Sequence, residues 1–177
     1  METALAGLII SIVLIFALLT LSQTALTTQD LLVVGEQEMQ TRLTDQARTD
    51  LEIVSAQVIS PGTSIQMMVR NTGDVKLADF DEWDMILEYY RPTGVYTYTV
   101  NWLPYTAATL QADEWTVDAI YVGGGGYQPE VFDLGILNPG EEMAVEVSVA
   151  SPVAADSVNR VTIGAANGVK SSAYFLY

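Results

Sequence analysis

The sequence predicts an α+β chain in which a long N-terminal hydrophobic α-helix runs without a linker into an antiparallel β-sandwich. Three observations carry this. No charged residue occurs from Thr3 to Gln29. No proline precedes Pro61, and Gly35 is the only glycine between Ser22 and Ser60. Beyond Leu51 the apolar period falls to two, in short runs separated by turn residues.

The helix comes first. Ala4–Leu21 reads ALAGLIISIVLIFALLTL, broken only by Gly7, Ser11 and Thr20. At 1.5 Å per residue it is about 27 Å long, close to the thickness of a bilayer core. Such a segment can span a membrane, or it can be buried all round by identical helices. Further on, Leu26, Leu31, Val34, Met39, Leu43 and Ala47 recur among Gln, Thr, Asp and Glu, so the helix is expected to continue in amphipathic form. One helix from about Thr3 to about Asp50 would be about 70 Å long. The expected organisation is therefore residues 1–50 as a hydrophobic helical element and residues 51–177 as a β-domain, rigidly joined. A secretory signal carries Lys or Arg ahead of its apolar run, whereas the first basic residue here is Arg42. The expectation is that a basic leader has been removed and that Met1 is a mature terminus.

The β-domain opens with LEIVSAQVIS and TSIQMMVRN around Pro61-Gly62, a predicted hairpin. Further strand-like runs are Met85–Tyr90, Val95–Leu103, Glu114–Val122, Glu142–Ala150, Asn159–Ala166 and the closing SAYFLY. Arg91-Pro92-Thr93-Gly94, Gly123–Gly126, Asn138-Pro139-Gly140 and Asn167-Gly168 separate them, the last being a strong hairpin signal. Seven or eight short strands with regular turns indicate an immunoglobulin-like sandwich. The Gly123–Gly126 run reads either as a flexible tip or as a place where another backbone approaches closely.

Composition removes most chemistry. There is no histidine and no cysteine, so Ser-His-Asp and Cys-His arrangements, thiolate metal sites and disulfides cannot be built. Glycine-rich phosphate loops are absent too, since the Gly123 run leads into Tyr127-Gln128-Pro129 rather than a helix start. Twenty-two acidic and 7 basic residues give a formal charge of −15. The basic residues, Arg42, Arg48, Arg70, Lys76, Arg91, Arg160 and Lys170, are scattered, so no nucleic-acid partner is expected. Acidity of this kind serves solubility, or an exterior facing high salt. No enzyme is expected, and no cofactor.

One local cluster remains, DFDEWD, with Asp79, Asp81, Glu82 and Asp84. Oxygen-rich groups suit calcium, so Asp79, Asp81 and Asp84 are the metal candidates. The competing reading is a polar loop whose Asp side chains cap turns, and it is favoured because no glycine lies inside the cluster to form a tight ligand loop. Every Asn also lacks the Asn-x-Ser/Thr context for N-linked sugar.

An apolar N-terminal helix continuing into an all-β domain resembles the archaellins and archaeal type IV pilin-like proteins. Val69–Leu87 (VRNTGDVKLADFDEWDMIL), Leu137–Val147 (LNPGEEMAVEV) and Ala166–Tyr177 (ANGVKSSAYFLY) look like the corresponding segments of archaellum proteins. Bacterial type IV pilins carry Glu at the fifth mature position; here that position is Leu5, which moves the resemblance toward archaellins. The start with Met1 and Glu2 departs from the small apolar start usual in archaellins.

The resemblance implies a structural subunit, held in the membrane and then added to an extracellular helical homopolymer used for swimming. Its helices would form the central bundle through Glu2, Leu5, Leu8, Ile9, Ile12, Ile15, Phe16 and Leu19. Two rivals share the architecture: a pilus subunit for adhesion, and a membrane-anchored minor protein of the same machinery that binds the cell envelope.

Overall fold

The computed structural model describes residues 2–59, 61–93, 95–123 and 127–177, and all of their side chains except those of residues 2–6, 93, 95 and 96. Two compact units make up the chain, Met1–Leu43 and Thr44–Tyr177.

The helix α1 runs over Glu2–Arg48. Several of its hydroxyls do not compete with it, because they close on the preceding turn. Ser11 donates to the Gly7 carbonyl at 2.9 Å, Thr20 to Phe16 at 2.7 Å, and Thr24 and Thr28 to Thr20 and Thr24 at 2.9 Å. A hydroxyl satisfied in this way can enter an apolar environment at little cost.

Within the second unit, the last helical turn is tied down at its exit. The Asp74 N–H donates to the Arg48 carbonyl at 2.8 Å, and those of Thr72 and Gly73 donate to Asp50 at 3.0 and 3.2 Å. Gln46 donates to the Asn167 carbonyl at 2.6 Å, and Asn167 donates to the Thr49 hydroxyl at 2.7 Å. A Cβ at Gly73 would lie 2.5 Å from both the Arg48 oxygen and the Asp50 nitrogen, so glycine alone allows this approach.

Among the described residues nine strands follow: β1 Leu51–Ile59, β2 Ser64–Asn71, β3 Asp84–Thr93, β4 Val95–Leu103, β5 Glu114–Val122, β6 Gln128–Pro129, β7 Glu142–Ser148, β8 Val158–Gly164 and β9 Lys170–Leu176. They form a five-stranded sheet in the order β1-β2-β7-β5-β6 and a four-stranded sheet in the order β4-β3-β8-β9. Every pairing between these strands is antiparallel. The α+β class and the sandwich predicted from periodicity are therefore what the chain adopts. The expected β1–β2 hairpin forms, and Asn167-Gly168 closes β8 onto β9, with Gly168 at φ 86 and its N–H donating to Ala165 at 2.8 Å.

Alternate side chains fill the space between the sheets. Ile65, Met67 and Val69 of β2, Met143, Val145 and Val147 of β7 and Trp115 of β5 meet Met85, Leu87 and Tyr89 of β3, Val161 and Ile163 of β8, Leu103 of β4 and Phe175 of β9 in one cluster. The segment between β2 and β3 plugs an end of it. Phe80 sits in a 3-10 turn, Phe80–Glu82, edge-on to Trp83 at 5.2 Å between ring centres.

The same segment is anchored by Asn71, which is fully buried. Its side-chain NH2 donates to Val75 at 2.8 Å and to Leu137 at 3.0 Å, while its oxygen accepts from the Gly73 N–H at 3.1 Å. Nearby, a Cβ at Gly123 would fall 2.1 Å from the Gly140 oxygen. Close backbone approach, one of the two readings of the glycine run, holds at Gly123. Gly124–Gly126 lie outside the described residues.

Candidate functional site, an uncovered helix

The site is the surface of α1. Leu8, Ile9, Ile12, Ile15, Phe16 and Leu19, expected to pack in a helix bundle, are all exposed, Phe16 to 72%. At 100° per residue they fall within an arc of about 120°. Glu2 and Leu5 belong to the same helix, but their side chains lie outside the described residues.

Exposure does not stop at that arc. Ile10, Val13, Leu14, Leu18 and Leu21 point the other way round the helix and are equally bare. Farther on, Leu31, Leu32, Val33 and Val34 are consecutive and exposed, so the apolar surface persists round the helix well past Leu21. The uncharged run Ala4–Leu21 implies a helix apolar all round, whereas the four consecutive apolar residues Leu31–Val34 depart from the amphipathic form expected of the second half.

The energetics decide what such a helix needs. Burying one large aliphatic side chain contributes about 1.5–3 kcal/mol, and a folded domain is stable by only about 5–15 kcal/mol in total. A handful of these residues left in water costs as much as a whole fold contributes. Over Gly7–Arg48 the helix is also long and apolar enough to cross a membrane. Its surface therefore requires lipid or other helices around it. Gly7 has nothing within 4 Å of where a Cβ would be, leaving room for another backbone there.

The acidic cluster is placed differently from a ligand cage. Asp79 takes the left-handed conformation, φ 53, that starts the 3-10 turn, and its carbonyl accepts from the Glu82 N–H at 2.8 Å. Asp81 is exposed within that turn, and Asp84 begins β3 and accepts from the Trp102 indole N–H at 2.8 Å. Among the described residues no three acidic side chains gather in a metal-holding group.

Glu130 forms a separate polar structure. Its carboxylate accepts from the N–H groups of Val131 at 2.8 Å, Phe132 at 2.7 Å and Asp133 at 3.4 Å. These bonds, Phe132 foremost, hold its pKa below the ordinary carboxylate value. The loop they form carries Phe132 at 90% exposure.

An uncovered apolar helix continuous in sequence with a sandwich that has its own core defines a helix-tethered β-domain. The chain belongs to the archaeal-type flagellin family, whose model matches residues 2–175. No curated protein matches. Among solved structures, the archaeal flagellum of Methanospirillum hungatei strain JF1 is similar at TM-score 0.59 and 13% identity, covering 97% of this chain and 92% of that one. The archaellum periplasmic stator protein FlaG from Sulfolobus acidocaldarius is similar at TM-score 0.52 and 17% identity, over 72% of this chain and 99% of that one. Archaeal flagellin FlaB1 from Methanocaldococcus jannaschii is similar at TM-score 0.51 and 10% identity, over 72% of this chain and 88% of that one. At these identities the likeness is one of fold.

Proposed function

We propose that this chain is an archaellin, the structural subunit of an extracellular archaellum-type filament used for swimming, and that it has no catalytic role. The observation that carries this is the apolar surface of α1, bare on every side. Identical helices supply what it lacks: in a homopolymer each copy buries its neighbours, and the polymer core is dry. Before assembly the helix rests in the membrane, and afterwards the sandwiches face the medium. Family membership supports the reading, as does a likeness to the Methanospirillum flagellum chain over nearly the full length, α1 included.

A second reading has its own support. The β-domain is like the stator protein FlaG over nearly all of that chain, which suits a membrane-anchored protein binding the envelope. Deleting the gene separates the readings. The archaellin reading expects loss of both swimming and surface filaments. Loss of swimming with filaments intact would favour the anchored protein, and loss of attachment with swimming intact would favour an adhesive pilus.

A further inference from the structure

The two outer faces of the sandwich differ in charge and in apolar content. On the five-stranded sheet, Glu52, Glu114, Asp118, Glu142 and Glu146 stand against Arg70, which pairs with Glu142 and lies 3.6 Å from Glu52. On the four-stranded sheet, Asp84 and Glu88 of β3 are balanced by Arg160 of β8 and Lys170 of β9. Glu88 lies opposite Arg160 at 3.6 Å, and Asp84 shares a row with Gly164 and Lys170. In a chain of charge −15 this face is balanced.

The balanced face is also the apolar one. Tyr98, Val100 and Trp102 alternate along β4, Val158 lies on β8, and Tyr174 and Leu176 lie on β9, with Trp102 60% and Tyr174 72% exposed. The Tyr98 and Trp102 rings are already held. The Tyr98 hydroxyl donates to Glu88, the Trp102 indole donates to Asp84 at 2.8 Å, and the Tyr90 and Tyr98 rings are 5.2 Å apart. Aromatic side chains held in place before contact lose little freedom on binding.

We propose that the outer face of the β4-β3-β8-β9 sheet is the surface by which one copy's sandwich packs on a second copy. The occupant follows from charge. Copies at −15 repel one another, and a balanced apolar face lets like chains approach without bringing acidic groups together. The acidic five-stranded face is left to the medium. The proposal rests on the filament reading above and adds to it which face is inside the sheath.

The chain has no cysteine, so an introduced one is a unique label. Val100→Cys, Tyr174→Cys and, on the acidic face, Gln66→Cys are each expressed in the full chain. Each is reacted with a membrane-impermeant maleimide in sheared filaments and in the detergent-solubilised subunit. Val100→Cys and Tyr174→Cys are expected to react about tenfold or more slowly in filaments, because labelling there needs the contact to open, while Gln66→Cys keeps its rate. Unchanged rates at Val100→Cys and Tyr174→Cys in filaments overturn the proposal, and so does equal slowing at Gln66→Cys, which is shielding by assembly in general. If the wild-type chain is missing from sheared filaments, the functional reading fails, and this inference fails with it.

Discussion

At the scale of single residues, the most consequential side chain is one that sequence reading passed over. Removing the amide in Asn71→Ala deletes its hydrogen bonds to the Val75 and Leu137 carbonyls and from the Gly73 N–H, although Leu137 still accepts from Leu77 and Gly73 still donates to Asp50. At about 0.5–1.5 kcal/mol per lost hydrogen bond, the three together predict a loss of roughly 1.5–4.5 kcal/mol in denaturant unfolding of the β-domain. Gly73→Ala and Gly123→Ala push a methyl into backbone at 2.5 and 2.1 Å and should each cost about 1–3 kcal/mol in the same assay. Val69–Leu87 and Leu137–Val147 were legible as family-like segments. Their union at Asn71 was not, because nothing local in either segment reports which distant carbonyl its side chain will meet. Glu130 gives a pH prediction. Its folded pKa is lowered, so its hold on the loop is complete above the ordinary carboxylate value, about 4.3, and is lost as pH falls through the lower folded one. The Phe132 amide resonance should therefore titrate with a midpoint below about 4.3 and should stop titrating in Glu130→Gln.

At the scale of elements, α1 was the most legible because charge exclusion over Thr3–Gln29 needs no partner to be read. The structure ends it at Arg48, near the expected boundary, and shows apolar exposure on every face over Leu8–Leu21 and again at Leu31–Val34. The strands were legible from their alternation, with two departures. β3 runs on through Pro92 to Thr93, pairing with β4 up to the tip, where a break was expected at Arg91. β6 has two residues, too few for any period, and its Pro129 is tolerated at a sheet edge. Which face of a sheet stays bare was not legible at all, since it depends on β3 pairing with β8, more than seventy residues farther along the chain. The helix makes a sharp prediction. Ile12→Lys places an ammonium in every copy of a dry bundle, so filaments should disappear while the protein still accumulates in membranes. Gln66→Lys, on the acidic outer face, should assemble normally. Electron microscopy of sheared material beside a membrane-fraction blot reads both.

At the scale of the whole molecule, the chain divides its tasks between a helix that cannot stand alone in water and a sandwich with its own core. A chain starting at Thr44, where the second unit begins, should therefore be a soluble monomer by size-exclusion chromatography and should form no filaments. The central claim is that the missing cover of α1 is made of identical helices in an extracellular polymer. Mass spectrometry of filaments sheared from cells tests this most directly. The account predicts that this chain is the dominant protein in the sheared filaments and a minor one in the membranes left behind. A chain confined to the membrane fraction, with filaments made of another protein, would contradict it.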